Sequence, residues 1–395
     1  MILAINGGSS SLKFALFDRG EPPLRRAGGT IERIGLPDSV MLTDDNGNGR
    51  LKTRPVHVPD QNSCVGLILD WVEGQATDIR LEAIGHRIVH GGMDHYRPEL
   101  VTPELLADLR EMIPYDPEHL PSELALIDAC MARCPSARQI ACFDTAFHHD
   151  MPAVARWLPI PRRYYERGVR RYGFHGLSYA SLLEELKRTG APGESDGRII
   201  FAHLGSGASM AAVKRGRPVD TTMGFTPASG MPMSRRAGDL DPNLVAFLSR
   251  TEGMSLSEFQ HLVNRESGLL GMSEVSADMR ELLAREAGDP RAADAIELFC
   301  YQARKWIGAL AAAMDGLDTL VFSGGIGERA PTIRARICRG LTCLGLTIDR
   351  ERNETGHGLI SAAENPVVVR VMQTDEEGQI ALAAQRLLHP ACHSS

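Results

Sequence analysis

The feature that most limits how this chain can fold is its opening. Two short apolar runs, Ile2-Leu3-Ala4-Ile5 and Leu12-Lys13-Phe14-Ala15-Leu16-Phe17, are joined by Asn6-Gly7-Gly8-Ser9-Ser10-Ser11. Apolar runs of this length on either side of a Gly-rich turn read as a β-hairpin. Glycine lets the backbone approach an anion closely, and successive N–H groups with three hydroxyls form a concavity suited to phosphate. A Walker loop is excluded, because G-x-x-x-x-G-K-[ST] is absent and residues 12–17 alternate as a strand. An ordinary Gly/Ser hairpin turn is the plain alternative. The same design returns half a chain later in Ile199-Ile200-Phe201-Ala202-His203-Leu204, Gly205-Ser206-Gly207 and Ala208-Ser209-Met210-Ala211-Ala212-Val213. The expectation is a chain of two halves, each presenting a small-residue hairpin, with the two turns gripping one polyphosphate from opposite sides.

Length agrees with two halves, since 395 residues exceed the size at which a single core stops growing. The 43% apolar and 24% charged residues describe an ordinary globular protein. A formal net charge of −7 gives no electrostatic reason to expect nucleic acid or an acidic membrane as partner. A small anionic substrate would need local basic groups. Met1 leads straight into strand-like residues with no basic leader, and no apolar run approaches the roughly 20 residues of a membrane span. A cytoplasmic protein is expected. The eight cysteines lack paired C-x-x-C spacing, which predicts reduced, mostly buried thiols. Cys130 and Cys134, one turn apart, read as a packed helix face rather than a metal site.

A third glycine stretch, Ser323-Gly324-Gly325-Ile326-Gly327-Glu328, follows a buried-type strand and precedes a helix expected over Pro331–Arg339. Its G-x-G-x-x-G pattern is incomplete, so it reads as a nucleotide-edge loop rather than a Rossmann fingerprint. Residues 292–314 show helical periodicity ending at Gly316. Asp241-Pro242 reads as a helix start with Asp as N-cap. Residues 36–58 are a hairpin or surface loops. Strands alternating with helices make an α/β protein.

Several polar residues end apolar strands, where α/β proteins place active groups. Arg87, within Ala83-Ile84-Gly85-His86-Arg87-Ile88-Val89-His90, sits among residues expected to be buried and so requires an anion, either a substrate or a structural partner. The His86 and His90 pair is on a strand, which argues against a metal site. Asp144 ends the run Ile140-Ala141-Cys142-Phe143; it orients a reacting group, holds a hydrated cation, or caps a turn. Arg170-Arg171-Tyr172-Gly173-Phe174-His175-Gly176 and Met233-Ser234-Arg235-Arg236 are Arg-rich turns that face phosphate or carry surface charge. Thr374-Asp375-Glu376-Glu377 contacts metal or begins the last helix.

Taken in order, these segments resemble the acetate and propionate kinase family of the actin-like sugar kinase and chaperone ATPase superfamily. The resemblance spans nearly the whole chain. It rests on the opening hairpin through Phe14, Gly85-His86-Arg87-Ile88-Val89-His90-Gly91-Gly92, Phe143-Asp144-Thr145-Ala146-Phe147-His148, Arg171-Tyr172-Gly173-Phe174-His175-Gly176, Asp220-Thr221-Thr222-Met223-Gly224-Phe225-Thr226-Pro227, Ser267-Gly268-Leu269-Leu270-Gly271, Asp278-Met279-Arg280, Gly324-Gly325-Ile326-Gly327-Glu328 and Thr374-Asp375-Glu376-Glu377.

The resemblance implies a two-domain actin-like α/β fold with an interdomain cleft. Residues 1–149 with 378–395 would form the acyl and phosphate side, and 150–377 the nucleotide domain. It implies in-line transfer of the ATP γ-phosphoryl group to a short carboxylate such as acetate or propionate, with Mg²⁺ (or Mn²⁺) and a homodimer. A non-catalytic nucleotide-binding actin-like protein is the other class of reading. Asn6 and Glu376 match the metal positions. Arg87, Arg236, His175, Asp144 and His119 match active-site positions, and Arg87, Val89, Phe174 and Pro227 the acyl site. Nucleotide contacts carry over to Lys13, His203, Gly205, Ser206, Gly207, Asp278, Met279, Arg280, Gly324, Gly325, Ile326, Gly327 and Glu328. Departures from the family pattern fall at Glu118, where an apolar pocket residue is usual, and at Leu177, Tyr179, Ser206, Ser234, Arg235 and Arg329.

Overall fold

Both hairpins form, and each belongs to a larger repeat. The computed structural model describes residues 1–8, 11–45, 51–75 and 79–390; Ser9, Ser10 and Cys392 lie outside them. In the first sheet, β1 (Ile2–Gly7) pairs antiparallel with β2 (Ser11–Asp18), followed by β3 (Leu24–Glu32), β4 (Val40–Asp44) and β5 (Lys52–Pro55). On its other edge β1 pairs in parallel with β6 (Ala83–Ile88), which pairs in parallel with β8 (Arg138–Phe143), and β7 (Glu99–Leu100) closes the edge. The order is β5-β4-β3-β2-β1-β6-β8-β7.

The second sheet repeats this plan. Strand β9 (Arg198–Leu204) pairs antiparallel with β10 (Ala208–Lys214), which pairs with β11 (Arg217–Thr221). Strand β9 also runs parallel to β12 (Thr319–Ser323), which runs parallel to β14 (Val368–Val371), with β13 (Gly358–Leu359) at the edge. The order is β11-β10-β9-β12-β14-β13. Three antiparallel strands followed by two parallel ones therefore occur twice, which extends the duplication well beyond the two hairpins. Parallel neighbours need helical crossovers, and here those are the long helices between β6 and β8 and between β9 and β12.

By contacts the chain divides into two compact units. One comprises Met1–Phe147, Gly176–Ser181 and Asp375–Ser395, the other His148–His175 and Leu182–Thr374. In the first, strand residues pointing to one face join the helix Asn62–Glu73 in a core of Leu3, Ile5, Phe14, Ile68 and their neighbours. Residues pointing to the other face, including Ile2, Ala4 and Phe17, pack on Ile380, Ala381 and Ala384 of the helix Glu376–Leu388. In the second, the helix Pro290–Ala313 is buried along Ile296, Phe299, Ala303, Ile307 and Leu310, and Gly316 at φ 130° follows it.

Two expectations need correction. The helix expected at Asp241-Pro242 begins at Leu244. The Asp241 carboxylate instead accepts from the Asn243 N–H at 2.7 Å, closing a turn, because a short Asp side chain satisfies its own backbone as readily as a helix end. The glycines at 324–327 do not form an open loop; they are the first turns of the helix Gly324–Arg329, followed by the expected helix Pro331–Arg339. Residues 36–58 hold the β4–β5 hairpin. The described cysteines are free thiols, and burial pushes those of Cys64, Cys130 and Cys142 up to about 12.

Gly324 turns β12 into its helix at φ 74°, and a Cβ there would lie 2.7 Å from the Leu204 carbonyl oxygen. Gly324→Ala is expected to destabilise the protein by about 1–3 kcal/mol through backbone strain and overpacking. Chemical denaturation checks this, and an unchanged midpoint and slope would contradict the close approach.

Candidate active site

The first unit brings three of the singled-out residues, Asn6, Arg87 and Asp144, to the ends of its parallel strands, with Glu376 beside Asn6. Asn6 lies at the end of β1, opposite Lys13 on β2. Its amide Nδ2 donates to Glu376 Oε2 at 2.7 Å and Glu377 Oε1 at 2.8 Å, in the first turn of a helix capped by Asp375. Thr374-Asp375-Glu376-Glu377 thus both begins the helix and presents its carboxylates at the hairpin. Arg87, near the end of β6, donates from Nε and Nη2 to Asp144 Oδ2 at 2.9 and 2.6 Å, and from Nη1 to the Gly7 carbonyl at 2.7 Å. Asp144 follows β8, held by its own N–H donating to the Ile88 carbonyl and by its carbonyl accepting from the Gly176 N–H. Its second oxygen, Oδ1, is buried and has no hydrogen-bond partner among the described residues.

Two carboxylates in this cluster were not singled out by sequence reasoning as site residues. Glu123 is 3% exposed, accepts from the Val89 N–H at 2.9 Å and stands 3.8 Å from Arg87 Nη1. The detectable signal was an acid on the apolar Leu120, Leu124, Ile127 face of its helix. The other is Glu377, visible only as the neighbour of Glu376.

The electrostatics follow from burial. Desolvation alone would weaken the Arg87 charge, but Asp144, Glu123 and Glu376 outweigh it and hold the guanidinium above its ordinary range. Burial pushes the Asp144 carboxyl up, with Arg87 opposing and Glu376 reinforcing. Glu377 is likewise raised by burial, against the pull of Lys13. Burial pushes Glu123 up to about 7 although Arg87 and His119 pull it down. His119 itself bonds through Nδ1 to the buried Asp116 at 2.9 Å, while Glu118 is exposed with its N–H on the same Asp116.

The second unit assembles the others around the β9–β10 turn. His175 adopts φ 58°, its Nδ1 lies 2.8 Å from the Ser209 hydroxyl, and its ring lies 4.5 Å from that of His203. Ser209 is a contact that sequence reasoning missed. A Cβ on Gly207 would come within 3.2 Å of His175 Nε2, and one on Gly205 within 3.8 Å of the Gly325 N, so this turn, His175 and the glycine helix are neighbours. Glu328 accepts from the Gly324 N–H at 3.0 Å, and Ile326 and Gly327 lie in the same short helix. Arg236 Nη1 donates to the Pro227 carbonyl at 3.3 Å. Its loop joins the hairpin where Ser234 N–H donates to the Ser206 carbonyl at 3.1 Å, and Arg235 is exposed. Phe174 and Pro227 are buried in this unit, Val89 in the first.

Some singled-out residues stand elsewhere. Lys13 keeps company with Asn6 and Glu377 in the first unit. Asp278 caps the helix Met279–Arg285 and pairs with Arg280, with Met279 buried beneath.

A metal fits only in one manner. Among the described residues, no three His, Cys, Asp or Glu side chains come together to hold an ion by themselves. What exists is an acidic pair, Glu376 and Glu377, on the amide of Asn6, a set of oxygen donors. That set suits Mg²⁺, which keeps several waters and takes one or two carboxylates plus substrate phosphates.

Residues 1–382 match the model of the acetokinase family. An acetate kinase of Rhodopseudomonas palustris (strain TIE-1) is 43% identical over 98% of both chains, and a propionate kinase of Citrobacter rodentium is 41% identical over 98% of this chain and 96% of its own. Among solved structures, Porphyromonas gingivalis acetate kinase superposes with a TM-score of 0.87 at 37% identity, covering 98% of this chain and 99% of its own. A propionate kinase from Francisella tularensis reaches 0.88 at 33%, covering 97% and 98%. The fold is thus that of an ATP-dependent phosphotransferase with a carboxyl group as acceptor. The chain belongs to the acetokinase family.

Glu123 supplies a pH prediction. The folded protein keeps its proton up to about 7, whereas the ordinary value is 4.5. The folded state therefore binds more protons across that window, and stability is lost as pH rises through it. The melting temperature of Glu123→Gln, relative to the unsubstituted protein, is expected to be higher at about pH 8 than at about pH 5. A difference independent of pH would contradict the raised value.

Proposed function

We propose that this protein transfers the γ-phosphoryl group of ATP to a short-chain carboxylate, acetate foremost, giving an acyl phosphate and ADP reversibly. The observation that carries the proposal is the largely buried Arg87, which keeps its charge and holds Asp144 beside the hairpin turn, in a chain matched to the family across residues 1–382. A carboxylate attacking a polyphosphate meets like-charge repulsion, so the protein must supply fixed positive groups and alignment rather than a covalent intermediate. Arg87 and Arg236 do this for the carboxylate and the transferring phosphoryl group, and His175 for the equatorial oxygens. Asp144 orients Arg87 by accepting from its Nε and Nη2. His119, fixed by Asp116, is a further donor. Val89, Phe174 and Pro227 shape the acyl site.

The nucleotide belongs with Gly205, Ser206, Gly207, His203, Asp278, Met279, Arg280 and the stretch from Gly324 to Glu328, with Lys13 at the phosphates. Residues 1–149 with 378–395 serve the acyl and phosphate side and 150–377 the nucleotide. Asn6 and Glu376 hold hydrated Mg²⁺, or Mn²⁺ in its place; the ion neutralises phosphate charge when bound. The protein acts in the cytoplasm as a homodimer. No helix among the described residues is long and apolar enough to cross a membrane. Propionate as the preferred acid is the second reading, favoured by the propionate kinase relatives at 41% and 33% identity.

Hydroxylamine trapping with Mg·ATP and acetate, propionate, butyrate or glycolate decides the matter. Acyl hydroxamate from acetate or propionate is expected, and none from any acid would end the proposal. Arg236→Ala is expected to lower kcat by several orders of magnitude with ATP binding retained; near-normal turnover would remove Arg236 from this role.

A further inference from the structure

The roles proposed above leave Glu123 unused, although it is the one charged side chain among the buried residues of the helix Leu120–Arg133. We infer that Glu123 is a positioning residue for the carboxylate substrate: it fixes the main chain at Val89, and its charge beside Arg87 sets how strongly that guanidinium attracts the substrate's carboxylate. The inference rests on the kinase reading of this site and deepens it.

Both carboxylate oxygens bear on residues proposed for the acyl site. Oε2 accepts the Val89 N–H at 2.9 Å, so the backbone that carries one wall of that site hangs on this side chain. Oε1 lies 3.8 Å from Arg87 Nη1, beyond hydrogen-bond reach, and has no hydrogen-bond partner among the described residues. Asp144, by contrast, takes two hydrogen bonds from Arg87. Glu123 therefore acts on Arg87 through charge alone, in a buried setting where such an interaction is little screened.

The groups facing Glu123 are few. Arg87 comes from the end of β6, and His119 and Asp116 from the turn before its own helix. Arg87 and His119 favour its ionised form, Asp116 and burial the neutral one, and burial prevails, leaving the carboxyl at about 7. Below that value Glu123 is neutral and Arg87 faces the substrate with Asp144 and Glu376 against it. Above it, a further negative charge opposes the incoming carboxylate. Simple carboxylic acids are already ionised throughout this range, their own pKa lying near about 4. The carboxylate KM should thus rise with pH, while the KM for Mg·ATP should not follow.

The test measures both KM values between about pH 6 and about pH 8.5, a window spanning that titration, for the unsubstituted protein and for Glu123→Gln, whose amide oxygen can still accept the Val89 N–H. For the unsubstituted protein a rise in carboxylate KM of roughly three- to ten-fold is expected across the window, with the ATP KM flat. Glu123→Gln should show the low, acid-side carboxylate KM at every pH. Should that variant fail to fold, Glu123→Asn gives the same expectation of a flat profile, and the unsubstituted protein's own profile remains decisive. A carboxylate KM independent of pH in an active enzyme overturns the role of Glu123 and leaves the kinase reading standing. So does a Gln variant that keeps the slope. An enzyme that forms no acyl phosphate at any pH overturns the kinase reading itself, and this inference with it.

Discussion

One largely buried ion pair ties the strand ends of the first unit together. Arg87 reaches from β6 to Asp144 at the end of β8 and to the Gly7 carbonyl at the end of β1, so a single guanidinium ties together three adjacent parallel strands at the edge where the hairpin turns. Buried charges are costly to desolvate, and removing one partner of such a pair typically costs about 3–5 kcal/mol because the other is stranded. A pair of this kind is weak evidence for stability as such. It makes better sense as preorganisation: the guanidinium is fixed in place before any anion arrives, and one oxygen of Asp144 is left without a partner.

The surrounding fold explains why these groups meet. In each sheet the first strand of the hairpin is also the first of a parallel set, so its turn and the ends of its parallel neighbours lie along one edge. In the first unit that edge carries Asn6, Arg87 and Asp144. In the second it carries His203, the Gly205-Ser206-Gly207 turn and Ser323. The repeat thus places one small-residue hairpin and a set of polar strand ends side by side twice, once with acids and an arginine and once with histidines and glycines.

Much of this was legible in the residues themselves. Small-residue turns between apolar runs are local signals, and both hairpins formed as read. Arg87 and Asp144 stood out because a charge inside a buried strand must have a reason. What local pattern could not supply was partnership. Nothing in the spacing of Arg87 and Asp144 shows that the two bond to each other, since that follows from β6 lying next to β8. Nor does it show that Asn6 meets Glu376, almost the whole chain away, because the last helix returns to pack on β1. Glu123 was passed over as a member of a helix, although an acid on the face of Leu120, Leu124 and Ile127 carried the same message as Arg87 in its strand. The helix misplaced at Asp241 was a competition between turn and cap that the local sequence does not decide.

The central claim is that Arg87 and Asp144 act as one unit. The most direct measurement is a double-mutant cycle of Arg87→Ala and Asp144→Ala read in kcat/KM for the carboxylate, with folding checked in each variant. Residues that work together lose little more when both are removed than when one is. The account predicts that the double variant falls no further than the poorer single variant by more than a small factor. Losses that multiply independently would contradict it.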